Sequence, residues 1–304
     1  MTSEIEETPL TEMEKRAPEI ADANASPLVT ERGENIVVAP KAAPDFSRVR
    51  GIYFDLDDTL CGYWDATKAG LRAAFASDGP EGFTPQEMVV HWAAAFREFG
   101  AGLKASHWYA KYLKNGGITR TEQMRLTLER IGIVDDALAQ RLSDVYGRER
   151  NARLVLFDDA NETLDTLSGF PLGLITNGPA DVQRQEVATV GIGERFAHFF
   201  IEGEVGFGKP EPEVFRRAAE AMGLQPGQLL MVGNSYHHDI VPALEAGWKA
   251  IWIRRPSDVP PSANNDALPE EMPEGGLHPD AIVGSLAEVS ELLAPAIQAL
   301  NGEK

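Results

Sequence analysis

Between Leu172 and Ile253 short apolar runs alternate with stretches of helical period, and this alternation limits the fold more than any other feature of the chain. The segments read as strand Leu172–Thr176, helix Ala180–Val190, strand Phe199–Glu202, helix Glu213–Met222, strand Gln228–Val232, helix Ile240–Ala246 and strand Ala250–Ile253. Such βα repetition builds a parallel sheet joined by right-handed crossovers. A strand at Gly51–Leu56 stands far upstream, and a strand Ala281–Val283 with a helix Leu286–Leu300 ends the chain. The expected class is α/β.

The interval after the first strand is helical, with segments Ala66–Ala76, Pro85–Phe99, His107–Leu113, Thr121–Ile131 and Asp136–Glu149. Gly116-Gly117 and Gly132 read as joints between them. Residues 65–150 therefore form a helical block inserted into a sheet-bearing core of residues 47–64 and 151–300. Residues 1–46 are rich in Glu, Ala, Pro and Thr without a sustained period, which predicts a flexible acidic tail. Pro256–Pro279, crowded with Pro, Asn, Asp and Glu, is expected to be a long surface loop, longer than most connections.

A hydrophobic fraction of 43% over 304 residues suffices for a sizeable core. The net charge of −19 argues against nucleic acid or an anionic membrane surface as partner, so an anionic substrate would need local positive charge. The single cysteine, Cys61, excludes an internal disulfide framework and a multi-thiolate metal site. No basic segment followed by an apolar one opens the sequence and no apolar run is long enough to span a bilayer, so a cytoplasmic location is expected. A homodimer is left open.

Four segments carry chemistry. Ile52-Tyr53-Phe54 runs into Asp55-Leu56-Asp57-Asp58-Thr59-Leu60, which sets two carboxylates, Asp55 and Asp57, just past a buried strand, where open α/β sheets bind ligands. An acidic turn capping the next helix would read similarly. Strand Leu172–Ile175 ends in Thr176-Asn177-Gly178, whose hydroxyl, amide and backbone N–H suit phosphate oxygens, or form a simple capped turn. Gly208-Lys209-Pro210 holds a lysine in a restrained backbone ahead of a helix. Finally, Gly233-Asn234-Ser235-Tyr236-His237-His238-Asp239 follows a strand with hard oxygen donors suited to Mg²⁺. His237 and His238 are expected to be cap or surface residues, since consecutive residues near a helix start project differently.

In this order the four motifs, Asp55-Leu56-Asp57-Asp58-Thr59, Ile175-Thr176-Asn177, Lys209-Pro210 and Gly233-Asn234-Ser235 to Asp239, resemble those of the haloacid dehalogenase-like hydrolase superfamily, over residues from about 50 to 295. The resemblance implies a Rossmann-like core with chemistry and a helical cap that selects substrate. It implies Asp55 as a nucleophile that becomes a phospho-aspartate and Asp57 as acid and base. Mg²⁺ would be held by Asp55, the backbone carbonyl of Asp57, Asp239 and Asn234, while Thr176, Asn177 and Lys209 would bind the phosphate. Many members have aspartate where this chain has Asn234, which implies weaker cation binding.

The expected activity is Mg²⁺-dependent hydrolysis of a small phosphate monoester. A haloalkanoic-acid dehalogenase shares the nucleophile but typically lacks the acid, so Asp57 favours phosphoryl transfer. A phosphomutase and a non-catalytic binding protein are also compatible with the motifs. For the leaving group the sequence offers His107, Trp108, Tyr109, Lys111, Tyr112 and Lys114, or else a helix with its aromatics inward and its lysines solvated.

Overall fold

The computed structural model describes residues 44–262 and 269–302; the expected tail, apart from its last three residues, lies outside them. Six strands form one parallel sheet in the order β3-β2-β1-β4-β5-β6. They are β1 (Gly51–Phe54), β2 (Leu172–Thr176), β3 (His198–Ile201), β4 (Leu229–Gly233), β5 (Lys249–Ile253) and β6 (Ala281–Val283). Register is set by a fully buried β1, in which Phe54 pairs with Leu174 on one side and Val232 on the other. Because alternate residues of a strand face opposite ways, Ile52 and Phe54 join the core on one face while Tyr53 joins the other with Phe215, Trp248 and Trp252. Phe46 is buried in the first of these cores, so ordered packing begins before residue 47.

Of the six helices between β1 and β2, the first five follow one another directly: α1 (Tyr63–Asp78), α2 (Pro85–Leu103), α3 (Tyr109–Lys114), α4 (Gly116–Glu129) and α5 (Asp136–Asn151). All of these but α3 enclose an apolar cluster of their own, built on Leu71, Phe75, Met88, Trp92, Met124, Leu142 and Tyr146. α2 begins where Thr84 and Glu87 form a reciprocal capping box with Pro85 in the first turn, an arrangement that satisfies two free N–H groups and pre-sets the helical φ. The joint expected at Gly116-Gly117 falls where α3 gives way to α4, which Gly116 opens with the Asn115 side chain capping Ile118 N. The chain enters and leaves this helical layer side by side, with Gly62 N bonded to Val155 O and Phe157 N to Leu60 O.

The remaining helices are α6 (Ala160–Thr166), α7 (Ala180–Val190), α8 (Glu202–Val205), α9 (Pro212–Met222), α10 (Val241–Glu245), α11 (Leu286–Leu292) and α12 (Ala294–Gly302). α6 and the separation of α11 from α12 depart from the sequence expectation. The strand order reverses between β1 and β4, which leaves a crevice beyond their carboxyl ends. Among the described residues no helix is long and apolar enough to cross a membrane.

Candidate active site

Strands β1, β2 and β4 deliver their following loops to that crevice. Asp55 comes directly after β1, its N–H held by Val232 O at 3.0 Å. Asp58 adopts the left-handed region with φ 58°, which aspartate tolerates better than most residues. Its Oδ1 accepts from Trp64 N at 3.1 Å, supplying α1 with the cap that Gly62 lacks.

Lys209 sits between two carboxylates: its Nζ donates to Asp55 Oδ1 and to Asp239 Oδ1, each at 2.6 Å, and all three residues are buried. Burial pushes the Asp55 carboxyl up to about 6, Lys209 opposing and Asp239 adding to the rise. Burial pulls the Lys209 ammonium down, but Asp239 and Asp55 outweigh it and keep it charged. Asn177 holds the lysine backbone at both ends, donating from Nδ2 to Lys209 O at 2.7 Å and accepting from Lys209 N at 2.8 Å. The Lys209–Pro210 peptide is cis. Thr59 Oγ1 lies 2.9 Å from Asp55 Oδ2 and 3.3 Å from Asn234 Oδ1, so it can donate to either.

Asp239 reaches this cluster because residue 233 is glycine. A Cβ there would lie 2.3 Å from Asp239 Oδ2. The same oxygen accepts from Ser235 N at 2.9 Å. Tyr236–Ile240 is a single π-helical turn, a form common at functional sites. Its free N–H groups are met by Glu270, which accepts from Tyr236 N at 2.7 Å and His237 N at 3.3 Å. Asp258 Oδ2 accepts from Asn234 Nδ2 at 2.9 Å. Asp258 and Glu270, from the described parts of the stretch 256–279 expected to be a surface loop, of which residues 263–268 lie outside the described residues, thus bring two carboxylates to the site with no sequence signal beyond their acidity. The expectation for the histidines holds, since both are exposed.

A second polar group surrounds Asp57. Gln183 Nε2 donates to Asp57 Oδ2 at 3.1 Å and to Glu186 Oε2 at 3.0 Å, while its Oε1 accepts from Thr176 Oγ1 at 2.7 Å. Arg150 Nη2 lies 2.9 Å from Glu186 Oε1 without hydrogen-bond alignment, the two side chains being 3% and 0% exposed. Asp57 Oδ1 is buried and unpartnered. Burial, then the charges of Glu186, Asp55 and Asp58, raise the Asp57 carboxyl well above the usual carboxylate range, which favours its protonated form. The three donors expected to meet phosphate are all engaged by protein: Thr176 by Gln183, Asn177 by Lys209, and Gly178 N by Glu202 Oε2 at 3.1 Å. Sequence alone leaves Gly178 N unencumbered because nothing local marks the distant Glu202.

Above Asp57, Asn177 and Gln183 lies a cavity of about 130 Å³, closed on the helical side by Tyr63, Tyr112, Arg120, Gln123, Tyr146 and Arg150. Of the aromatic and basic residues that the sequence offers for a leaving group or else for a helix with solvated lysines, Tyr112 alone lines the cavity. Tyr109 instead donates to Glu202 Oε1 at 2.7 Å, Lys111 covers the Trp108 ring at 4.4 Å, and His107 and Lys114 are exposed.

The donors around Asp55 are hard oxygens: the carboxylates of Asp55 and Asp239 and the amide oxygen of Asn234. Among the described residues no group of three or more His, Cys, Asp or Glu is placed to hold a metal. Two carboxylates nevertheless fit Mg²⁺, which usually takes one or two and fills its octahedron with water and substrate oxygen.

A model of the haloacid dehalogenase-like hydrolase family matches residues 49–247. The chain is 32% identical to phosphoserine phosphatase of Thermus thermophilus over 78% of this chain and 96% of that protein. It is 26% identical to N-acylneuraminate-9-phosphatase of Mus musculus over 79% and 96% of the two chains. Among solved structures, 2-haloacid dehalogenase from Pseudomonas syringae superposes with a TM-score of 0.56 at 27% identity, covering 81% of this chain and 98% of its own. L-2-haloacid dehalogenase from Xanthobacter autotrophicus does so with a TM-score of 0.60 at 20% identity, covering 81% and 98%, a likeness of fold.

Proposed function

This chain belongs to the haloacid dehalogenase-like hydrolase family, and within it we propose a Mg²⁺-dependent phosphatase that hydrolyses a small phosphate monoester through a phospho-aspartate. The observation that carries this reading is a pair of unlike carboxyls side by side. Asp55 is pinned by Lys209 and Thr59, whereas Asp57 is half-buried, keeps one oxygen unpartnered and lines the cavity.

In the first step a carboxylate oxygen of Asp55 attacks phosphorus. The bond from phosphorus to the leaving alcohol breaks, and the alcohol oxygen takes the proton of Asp57. In the second, the Asp57 carboxylate accepts a proton from water, whose oxygen attacks the phosphoryl group. The bond to Asp55 then breaks, orthophosphate departs and Asp57 is protonated again. Lys209 keeps Asp55 in place and offsets phosphoryl charge, and Thr176 exchanges Gln183 for a phosphoryl oxygen. Asn177 acts by fixing the lysine backbone. Asp55, Asp239, Asn234 and the backbone carbonyl of Asp57 would hold Mg²⁺, which supplies positive charge against the repulsion between nucleophile and substrate. Residues 65–150 serve as the cap over a core of 47–64 and 151–300.

A dehalogenase would direct Asp55 at carbon and has no use for a protonated Asp57, because a departing halide needs no proton. Two relatives are named as phosphatases of phosphoserine and of an N-acylneuraminate 9-phosphate, which supports a phosphate ester as substrate. The test uses an aryl phosphate whose leaving group needs little protonation. Asp55→Asn is expected to release no phenol. Asp57→Asn is expected to release one equivalent in a burst and then slow by ~10²–10⁴, since water is no longer activated. Turnover of Asp57→Asn at the unmodified rate, or activity in Asp55→Asn, refutes the mechanism.

A further inference from the structure

We propose that Arg120 is a specificity residue, and that the substrate is a phosphate monoester whose small leaving alcohol carries a carboxylate for Arg120 to bind. The inference deepens the phosphatase reading and rests on it. Gly116, Thr119, Arg120 and Gln123 recur at helical spacing and together turn one face of α4 toward the cavity. The Arg120 Nε is buried and has no hydrogen-bond partner. Among the described residues no carboxylate comes within ion-pair distance of its guanidinium, whereas Arg150, on the same cavity, has Glu186 at 2.9 Å. Burial, and then the like charge of Arg150, make the charged form of Arg120 harder to hold.

A partly buried cation beside another cation, with Asp181 and Glu186 only at longer range, costs folding energy that an anion bound directly to it offsets. The protein's own anions stand outside contact distance: Asp181 accepts from Gly116 N at 2.9 Å, Glu186 is paired with Arg150 at 2.9 Å, and among the described residues neither comes within ion-pair distance of the Arg120 guanidinium. Phosphoryl charge is met by Lys209, which is not part of this lining. Arg120 comes from the helical layer and is left for the other end of the ester. The ligand must be small, because about 130 Å³ is far below the ~300–1,000 Å³ of sites that take drug-sized molecules. A carboxylate fits the planar fork of a guanidinium through two parallel hydrogen bonds and takes less room than a second phosphate.

The experiment compares kcat/KM of the full chain, with Mg²⁺, for the phosphate esters of glycolic acid and of isobutanol, which match in shape and differ in the carboxylate. The unmodified protein is expected to prefer the glycolate ester at least about tenfold, and Arg120→Gln to lose about 10- to 100-fold on that ester while the isobutyl ester moves less than about threefold. Arg120→Lys, which keeps the charge without the fork, is expected to fall between. Thermal unfolding of Arg120→Gln is expected at or above the temperature of the unmodified protein, which separates lost recognition from lost fold. Equal loss on both esters would place Arg120 at the phosphoryl group and overturn the proposal. So would a preference for the isobutyl ester in the unmodified protein, which needs no variant to fold. Hydrolysis of neither ester, nor of any aryl phosphate, brings down the phosphatase reading itself.

Discussion

Replacing Arg150 by methionine removes the counter-charge of Glu186, together with two hydrogen bonds to Asn151 Oδ1 and the guanidinium over the Tyr63 ring, while an unbranched apolar side chain refills much of the space of the stem. The two side chains are 3% and 0% exposed and 2.9 Å apart, so solvent screening does little for the carboxylate that remains. Breaking such a pair costs about 3–5 kcal/mol. At ~2–4 °C per kcal/mol for a protein of this size, unfolding should occur roughly 6–20 °C lower. The deficit must also depend on pH. Burial raises the Glu186 carboxyl above its ordinary value and Arg150 is the largest influence opposing that rise. Without Arg150 the folded-state value climbs further while the unfolded value stays put. Across that window the native state holds a proton that the unfolded chain has released, so stability falls as pH rises through it. Melting curves of both proteins from pH 5 to pH 8 check this, with the deficit small at the acid end and large at the alkaline end. Adding Glu186→Leu to Arg150→Met should recover most of the loss, since an apolar pair in place of a buried ion pair is often neutral or better. A deficit independent of pH, or one left unchanged in the double variant, refutes the reasoning.

Gly116→Ala should weaken catalysis more than folding, because its Cβ would lie 2.3 Å from Val182 Cγ2 and force α4 away from α7; a fall in kcat/KM with a melting shift of only a few degrees is the expected result. Asn234→Asp sets a carboxylate against Asp258, whose carboxyl burial already pushes up to about 6. The variant should therefore be less stable than the unmodified protein in chelator and gain more from Mg²⁺; equal Mg²⁺-induced shifts in melting temperature would remove Asn234 from the cation site. Glu270→Ala strips the N–H groups of Tyr236 and His237 of their acceptor, so a loss of ~1 kcal/mol with a weaker response to Mg²⁺ is expected from thermal melts with and without the ion.

The sheet was legible because its evidence is local. An apolar run such as Leu229–Val232 has to be buried whatever its partners are, and the turn after it has to lie at an edge of the sheet. The order of the motifs placed Asp55, Lys209 and Asp239 in one chemistry for a similar reason: each stands just beyond a strand or at the start of a helix, and a parallel sheet brings such places together. Local pattern could not supply the pairings between residues remote in sequence. Glu202 takes the N–H of Gly178, Asn177 bonds the backbone of Lys209 at both ends, and Asp258 and Glu270 bond the residues of the Asn234 turn. The same holds for the cavity wall: the sequence left the stretch His107–Lys114 open between a leaving-group contact and a helix with solvated lysines, and packing set Tyr112 of that stretch beside Arg120, Gln123, Tyr146 and Arg150. Strand and helix positions follow from the hydrophobic period along the chain. Which polar group meets which depends on the distance between elements once they pack, and that distance is decided by the whole tertiary structure.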